Sequence, residues 1–262
     1  MNEQPLLRIH VHEHTGTIIL NRPQRRNALS RLLLSELVQA LGDLHLERRV
    51  RAVVLAGTGS AFCAGMDLDE MRATSLQPDP RGQWHEDAVA YQNLIETMLR
   101  FPKPLVAAVN GPAVAGGAGL VLACDVVLAV GAATFGFPEP RRGIVAGLVA
   151  PLLAFRIGAG HAARLLLTAE SIDSAEAHRI GVFHEIVPED HLWPRAQAIA
   201  GQCARCAPEA LQLTKKMLNE TIGEHLFTLL AAGAAASAAS RTTEAALEGL
   251  AAFVEKREPK WK

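Results

Sequence analysis

The sequence predicts an α/β protein that ends in a helical region. Short apolar runs of strand length alternate with stretches of helical periodicity. The three clearest apolar runs are 52–56, 105–109 and 126–130. Runs that are apolar on both faces are typical of parallel strands covered by helices on either side. From Ala196 onward only helical periodicity remains, so we predict a core at 1–200 that carries the functional site and a helical region at 201–262.

In the first half of the chain, each predicted element is bounded by a turn or a cap. Residues 17–20 form a β-branched run that ends at the turn Asn21-Arg22-Pro23. Ser30 is a predicted helix N-cap, followed by apolar residues at helical spacing. This apolar stripe consists of Leu33, Leu34, Leu37, Val38, Leu41 and Leu44. The next strand is broken by Gly57-Thr58-Gly59-Ser60, and a second helix is expected from Leu68.

The second half continues the same alternation. Residues 74–82 are rich in proline and polar side chains and predict a mobile loop, which a helix at 87–101 follows. The next strand ends at Asn110-Gly111-Pro112, and a glycine-rich turn opens a helix from Gly116 to about Ala123. Further strands are predicted at 126–130 and 133–135.

Charge and hydropathy exclude several functional classes. The 262 residues carry 26 basic and 27 acidic side chains, so no basic surplus is available for nucleic acid or an anionic membrane surface. The first 14 residues hold no apolar segment of a signal peptide, which predicts a cytoplasmic protein. Residues 104–124 are uncharged, but Asn110, Pro112 and several glycines interrupt them. We therefore expect two buried elements there rather than a membrane span, and we predict neither nucleic acid nor membrane as a partner.

Cysteines and histidines predict neither a disulfide framework nor a metal site. Cys203 and Cys206 have CxxC spacing, but no second pair of ligands lies nearby and the segment has a helical pattern. His10, His12 and His14 alternate on one face of a predicted edge strand. That face could bind a metal, although a solvated strand face is the more favoured interpretation, and no HExxH motif occurs.

Two glycine-rich turns are the main chemical signal. Cys63-Ala64-Gly65 and Ala115-Gly116-Gly117 each follow a buried strand and precede a helix, where backbone N–H groups are free. Neither turn matches a phosphate-binding P-loop or the dinucleotide motif GxGxxG. Glycines of this kind either permit tight packing or form an anion or oxyanion pocket, and the pattern leaves both open.

Glu139 is the candidate acid or base. It lies in Phe137-Pro138-Glu139-Pro140, among apolar residues that disfavour an ionised carboxylate and raise its pKa toward useful values. The alternative is a surface glutamate paired with Arg141 or Arg142.

Several motifs in a fixed order resemble one known family along nearly the whole chain. They are Asn21-Arg22-Pro23 with Asn27-Ala28-Leu29, Phe62-Cys63-Ala64-Gly65-Met66-Asp67-Leu68, Pro102-Lys103-Pro104, Ala115-Gly116-Gly117 with Ala123-Cys124-Asp125, Phe135-Gly136-Phe137-Pro138-Glu139, Ala175-Glu176-Ala177 with Gly181-Val182, and Phe253-Val254-Glu255-Lys256-Arg257. On these motifs the sequence resembles the crotonase (enoyl-CoA hydratase/isomerase) superfamily.

The resemblance implies a fold, a substrate and a site. The fold is a crotonase-like spiral of ββα units followed by helices that mediate trimer formation, as a homotrimer or a hexamer that is a dimer of trimers. The substrate is an acyl-CoA thioester, and neither a metal nor an organic cofactor is implied. By motif position, the backbone amides of Ala64 and Gly116 polarise the thioester carbonyl, and Glu139 transfers protons.

The same resemblance implies contacts to the CoA thioester. Arg25 is expected near its phosphates or adenine, and Lys256 and Phe253 lie where a C-terminal helix caps the site, often that of a neighbouring subunit. For both cations the alternative is a solvated surface charge. The predicted substrate-binding residues are Arg25, Ala28, Gly65, Met66, Asp67, Leu68, Gly117, Gly119, Phe253 and Lys256.

Gly119 departs from the pattern of many hydratases in the family, which have a second glutamate there. The small size of Gly119 is expected to enlarge the acyl pocket. Candidates to replace the second glutamate as a carboxylate or base are Asp67, Glu70, His85 and Asp87. Of these, Asp67 is better placed to cap or anchor the helix that follows it. We predict a hydratase acting on a 2-enoyl-CoA. The alternatives are a Δ3-Δ2 enoyl-CoA isomerase, for which one carboxylate suffices, and a non-catalytic acyl-CoA-binding protein.

Overall fold

The computed structural model describes residues 4–261, which form nine strands and eleven α-helices. The strands are β1 Leu7–His12, β2 Thr15–Leu20, β3 Ala52–Gly57, β4 Leu105–Val109, β5 Ala113–Val114, β6 Val126–Val130, β7 Thr134–Gly136, β8 Ser171–Asp173 and β9 Glu185–Val187. The helices are α1 Arg31–Leu46, α2 Leu68–Ser75, α3 Arg81–Arg100, α4 Gly116–Ala123, α5 Val149–Ile157, α6 Ala159–Thr168, α7 Ser174–Arg179, α8 Glu189–Ala204, α9 Pro208–Lys216, α10 Leu226–Ser240 and α11 Glu244–Val254.

A six-stranded sheet forms the centre of the molecule. Its order is β1-β2-β3-β4-β6-β9, and every pair is parallel except the edge hairpin β1-β2. All five residues of β4 are buried, as are the first four of β3. The all-apolar strands therefore lie between helical layers, which confirms the α/β prediction.

A smaller sheet places two loops beside the main one. Its order is β5-β7-β8, with β5 parallel to β7 and β8 antiparallel to it. Because Val114 pairs with Gly136, the turn that follows β5 and the segment that follows β7 leave the small sheet at the same edge. The candidate residues Gly116 and Glu139 follow these two strand ends.

Helix α3 begins at Arg81, six residues before the predicted start, and α2 extends to Ser75. The predicted 74–82 loop therefore shrinks to a short connection. The first turn of α3 is helical despite its polar composition because Trp84 is buried in the core and its packing stabilises the helix there. No local signal in the sequence predicts β8, β9 or the helices α5 to α7, which are short.

The C-terminal helices cover the core of their own chain. Helix α10 packs against α3 and α5, and α11 packs against α2 and a 3-10 turn at Glu139–Arg142. Helix α8 runs across residue 200, so the predicted division at 200/201 falls inside a helix and remains a prediction. The trimer or hexamer also remains a prediction. The exposed apolar side chains in this region include Leu213, Met217, Leu218, Ile222 and Leu229.

Residues 104–124 form β4, β5, α4 and their connecting turns, as expected for buried elements. Within the described range 4–261, no single helix has the length and apolarity to cross a membrane. The segments Pro208–Thr221 and Leu226–Ser240 satisfy these criteria only when taken together, with a bend of 57° between them.

Candidate active site

One mostly apolar cavity of about 560 Å³, including the space at its mouth, brings the predicted catalytic residues together. Ala64, Gly116 and Glu139 all line it, beside Tyr91 of α3. The remaining wall is an apolar segment at 144–149 and the face of α10 that carries Ser237 and Arg241. Two backbone turns and one carboxylate thus share a single pocket.

The first turn is held in place by a buried asparagine. Asn27 has a positive φ of 56° and is fully buried. Its Nδ2 donates to the carbonyl oxygens of Thr58, Ala61 and Phe62 at 2.9, 2.9 and 3.1 Å. Backbone carbonyls of the segment before the turn are thereby paired, two of them at buried bonds, and the chain entering the turn is fixed.

The amide that this turn offers to the cavity is that of Met66, not that of Ala64. The N–H of Ala64 donates to the carbonyl of Arg26 at 3.0 Å, so the prediction for Ala64 was wrong: its amide is already used. Met66 forms a parallel bridge with Leu29, in which Leu29 N–H donates to Gly65 O and Asp67 N–H donates to Leu29 O.

In such a bridge the groups of the flanking residues make the bonds, and the central residue directs its own N–H to the opposite side. Met66 lines the cavity, and among residues 4–261 its N–H has no hydrogen-bond acceptor. The Met66 amide is therefore the available donor of this turn.

The second turn begins α4 in a strained conformation. Ala115 has φ 53° and ψ −128°, a region that costs a residue with a side chain about 1–3 kcal/mol. Its N–H donates to Gly136 of β7 at 2.9 Å, which fixes the turn to the small sheet. Gly116 is the first residue of α4, so its N–H has no partner within the helix and lies at the positive end of the dipole.

The two turns touch each other. Gly65 has a φ of 84°, and a Cβ built on it would lie 3.1 Å from the amide nitrogen of Gly116 and 2.7 Å from the Cβ of Ala115. The turn that carries Met66 N–H is therefore packed directly against the one that carries Gly116 N–H. Gly65 permits this approach and does not itself line the cavity.

Glu139 follows β7 and lies in the 3-10 turn Glu139–Arg142. The residue as a whole is partly exposed, but its Oε2 atom is buried and has no hydrogen-bond partner among the described residues. Burial raises the pKa of Glu139 to about 7, although the nearby Arg142 and Arg241 act in the opposite direction. No salt bridge joins it to Arg141 or Arg142 in the described part of the chain, which disfavours the surface-pair alternative.

Tyr91 is a site residue that the sequence analysis missed. Its buried hydroxyl donates to the carbonyl of Gly116 at 2.6 Å. Burial raises the pKa of Tyr91 well above its ordinary value, so the phenol stays protonated and remains a donor. On α3, Tyr91 is spaced from the other buried residues as a core residue is. The sequence pattern therefore gives no sign of its hydrogen bond.

The structure corrects the interpretation of Gly119. A Cβ at this position would lie 2.0 Å from the Tyr91 hydroxyl oxygen and 2.8 Å from Cγ1 of Val149. The missing side chain therefore makes room for Tyr91 and does not enlarge the acyl pocket, whose lining excludes Gly119. A glutamate here would require the tyrosine to move.

We expect this steric conflict to appear in a double-mutant cycle. Gly119→Ala should lower the free energy of unfolding by about 1–3 kcal/mol through overpacking. Tyr91→Phe should lower it by about 1 kcal/mol through the lost hydrogen bond. The double variant should lose less than the sum, because removing the hydroxyl also removes the closest clash; urea unfolding measures all three.

The control pair is Tyr91→Phe with Gly201→Ala, since nothing lies within 4 Å of a Cβ at Gly201 in α8. Its two effects should add. Additive effects in the Gly119 cycle as well would contradict the assignment of Tyr91 to that space.

Comparisons with known proteins show the family of this chain. A family model described as enoyl-CoA hydratase/isomerase matches residues 11–262. This chain belongs to the enoyl-CoA hydratase/isomerase family. It is 41% identical over 249 residues to a putative enoyl-CoA hydratase of Thermus thermophilus, covering 95% of this chain and 97% of the relative. It is 35% identical over 259 residues to the 2,3-dehydroadipyl-CoA hydratase of Escherichia coli, covering 94% of each.

Solved structures show the same fold. A crystal structure of a putative enoyl-CoA hydratase from Mycobacterium avium paratuberculosis superimposes with a TM-score of 0.87 at 30% identity. The match covers 98% of this chain and 100% of the other. The crotonase-like fold predicted from the motifs is thereby confirmed, whereas its trimerisation region is not.

The carboxylates considered as substitutes for a second glutamate are used elsewhere in this hydratase/isomerase family member. Asp67 caps α2 through Asp69 N–H and pairs with Arg22 at 2.9 Å, as an anchoring role requires. Asp87 accepts two hydrogen bonds from the side chain of Arg31, and Glu70 accepts one from the backbone N–H of Arg31. His85 is exposed. None of the four lines the cavity, where Glu139 is the only carboxylate among the lining residues.

The predicted CoA contacts are only partly gathered at the cavity. Met66 and Leu68 line it, whereas Gly117 is buried and does not line it. Arg25 is exposed and pairs with Asp69, and Ala28 O accepts from Arg22.

At the C-terminal end, the Phe253 ring lies 4.5 Å from the guanidinium of Arg142, which lines the cavity. Lys256 is exposed and has a φ of 54°. Helix α11 thus reaches the site of its own chain through Phe253, and the CoA role of Lys256 remains a prediction.

The predicted cysteine and histidine patterns form no metal centre in the part of the chain that the structure describes: no group of three potential ligands is placed to hold an ion. Cys203 is half-buried and Cys206 exposed, both as free thiols near the end of α8. Of the predicted histidine face, His10 and His12 lie on edge strand β1, whereas His14 lies in the turn that follows it.

Proposed function

We propose that this protein adds water to the double bond of a 2-enoyl-CoA thioester. The observation that carries the proposal is the shared cavity, in which two backbone turns present unused amides next to the buried carboxylate of Glu139. A thioester oxygen that accepts from Met66 N–H and Gly116 N–H is polarised, and the negative charge of an enolate developing on it is stabilised. One donor of this kind contributes about 3–4 kcal/mol to the transition state.

Glu139 then acts twice. As a carboxylate it takes a proton from water while the water oxygen bonds to the β-carbon and the double-bond electrons move to the thioester oxygen. The protonated Glu139 next gives that proton to the α-carbon as the enolate collapses. The sum is the addition of one water, and a pKa of about 7 suits a group that must both accept and donate near neutral pH.

Tyr91 supports the second donor. Its hydrogen bond to Gly116 O orients the Gly116–Gly117 peptide and polarises the start of α4. Tyr91 therefore acts as a positioning residue, through the backbone, and not as a proton carrier.

A Δ3-Δ2 enoyl-CoA isomerase is the second candidate, and one observation favours it. Glu139 is alone among the lining carboxylates, and moving a proton from the α-carbon to the γ-carbon needs only one. The same amides would stabilise the intermediate dienolate. Water is not consumed in that reaction.

A product assay separates the two functions. We expect the purified protein to convert 2-enoyl-CoA into 3-hydroxyacyl-CoA, measured by loss of enoyl absorbance and by mass, which increases by one water. With 3-enoyl-CoA, an isomerase instead gives a 2-enoyl product of unchanged mass. Rapid isomerisation without hydration would overturn the hydratase in favour of the isomerase, and no turnover of either substrate would overturn both.

A further inference from the structure

The cavity holds more positive than negative charge. Its charged lining residues are Glu139, Arg142 and Arg241. With Glu139 ionised their sum is +1, and with Glu139 protonated it is +2. The guanidinium of Arg142 stacks on the Phe253 ring at 4.5 Å, whereas Arg241 lies deeper in the protein.

Arg241 is buried without an acceptor. It ends α10, and only 6% of its surface is exposed. Its Nε and Nη1 are buried and have no hydrogen-bond partner among residues 4–261. The guanidinium lies 5.5 Å from the ring of Trp84, which holds it against α3. Burial lowers the pKa of Arg241, while Asp87 and Glu139 are near enough to act in the opposite direction. Neither carboxylate accepts a hydrogen bond from Nε or Nη1, and an arginine keeps its charge in a protein interior, so these two donors are available to a further anion.

The geometry points to a carboxylate on the acyl chain of the substrate as that anion: we propose that Arg241 binds the far end of a 2-enoyl-CoA that carries a terminal carboxylate. The proposal rests on the function proposed above. A guanidinium presents N–H donors in a fork that matches a carboxylate, and such a pair is strong where water is excluded. An apolar wall leading to one buried cation suits a methylene chain with a charged end.

Helix α3 gives a measure of the chain length. Trp84 contacts Arg241, and Tyr91 contacts the oxyanion turn at Gly116. Seven residues separate the two aromatic side chains, which corresponds to about 10 Å along a helix. We therefore expect a short acyl chain, of about the length of this helical segment, between a thioester carbonyl at the turn and a carboxylate at Arg241.

The experiment compares six-carbon 2-enoyl-CoA substrates with and without a terminal carboxylate. We expect kcat/KM of the wild type to favour the carboxylated substrate by about 10-fold or more, the factor of one charge-assisted pair. Arg241→Met should remove this preference or reverse it, mainly through KM, and Arg241→Lys should keep part of it.

The matched control is Arg156→Met, which also removes a partly buried arginine whose Nη2 is buried without a partner among the described residues, but outside the cavity lining. The kcat/KM preference of this control for the carboxylated substrate should equal that of the wild type. Dissociation constants of the saturated six-carbon acyl-CoA, with and without the carboxylate, and of CoA alone are measured by calorimetry on the same variants.

Each outcome is decisive. Equal kcat/KM of the wild type for both substrates overturns the proposal, as does a preference that survives in Arg241→Met. If Arg241→Met weakens the binding of CoA alone as much as the binding of the carboxylated acyl-CoA, Arg241 contacts a CoA phosphate instead. If it only shifts the pH profile for both substrates, Arg241 serves Glu139. A carboxylate preference in binding without any turnover supports the subsite while refuting the hydratase and the isomerase.

Discussion

Replacing Glu139 by glutamine is expected to lower kcat for 2-enoyl-CoA hydration by at least about 10³-fold, within the range found for removal of a general acid or base. Glutamine has nearly the same shape but accepts no proton from water and returns none to the α-carbon. Binding of a saturated acyl-CoA, which the amides of Met66 and Gly116 still hold, should change by no more than about 3-fold. Steady-state kinetics and calorimetry measure the two quantities.

Glu189→Gln serves as the control, because this exposed residue lies in the first turn of α8, far along the chain from the cavity lining. It should retain full activity. If Glu139→Gln also kept its activity, the proton transfer would have to be assigned to another group. If the wild type bound acyl-CoA but turned over no enoyl-CoA, the non-catalytic alternative would stand.

The same variant tests the burial of the carboxylate through stability. The folded-state pKa of Glu139, about 7, lies above the ordinary value of 4.5. Below pH 4.5 the carboxyl is protonated in both states and the wild type should match Glu139→Gln. As the pH rises from 4.5 to 7 the unfolded state loses the proton while the folded state keeps it, so the wild type becomes less stable, and by pH 8 the variant should be more stable by about 3 kcal/mol. A stability difference that does not change between pH 4.5 and 8 would refute the buried carboxylate.

The parts of the fold that the sequence predicts correctly are those decided within one element. The all-apolar strands β3, β4 and β6 lie in the sheet as expected, and Ser30 caps α1 by accepting from Leu33 N–H at 3.2 Å. The two glycine-rich turns and Glu139 meet in one cavity. Local pattern and family motif are sufficient for these features.

The errors arise where a distant partner decides the outcome. The direction of the Met66 amide depends on a bridge to Leu29, so the motif locates the turn but not its donor. Likewise, the space beside Gly119 is filled by Tyr91, 28 positions earlier in the chain. One local signal does mark Arg241: it is the first charged residue after the uncharged helix α10. A lone cation at such a position indicates that the helix end meets something polar.

Gly117 holds the two turns at contact distance, and this makes it the position where the smallest substitution should do the most damage. A Cβ there would lie 2.3 Å from the carbonyl oxygen of Cys63 and 2.7 Å from its Cβ. That carbonyl accepts from Val114 N–H at 3.1 Å, so it cannot move without breaking the bridge between Cys63 and Ala113. The methyl group must therefore push the turn of Met66 away from that of Gly116.

Gly117→Ala is accordingly expected to lower kcat/KM by about 10²–10³-fold, the cost of misplacing one oxyanion donor. Its free energy of unfolding should fall by about 1–3 kcal/mol through overpacking, against the small gain that alanine brings to a helix. Gly42→Ala is the matched control, since a Cβ at Gly42 in α1 meets nothing within 4 Å; it should leave kcat/KM unchanged and raise stability slightly. Because both variants add one methyl group to a helical glycine, a similar loss of activity in both would mean that contact between the turns does not set the geometry of the donors.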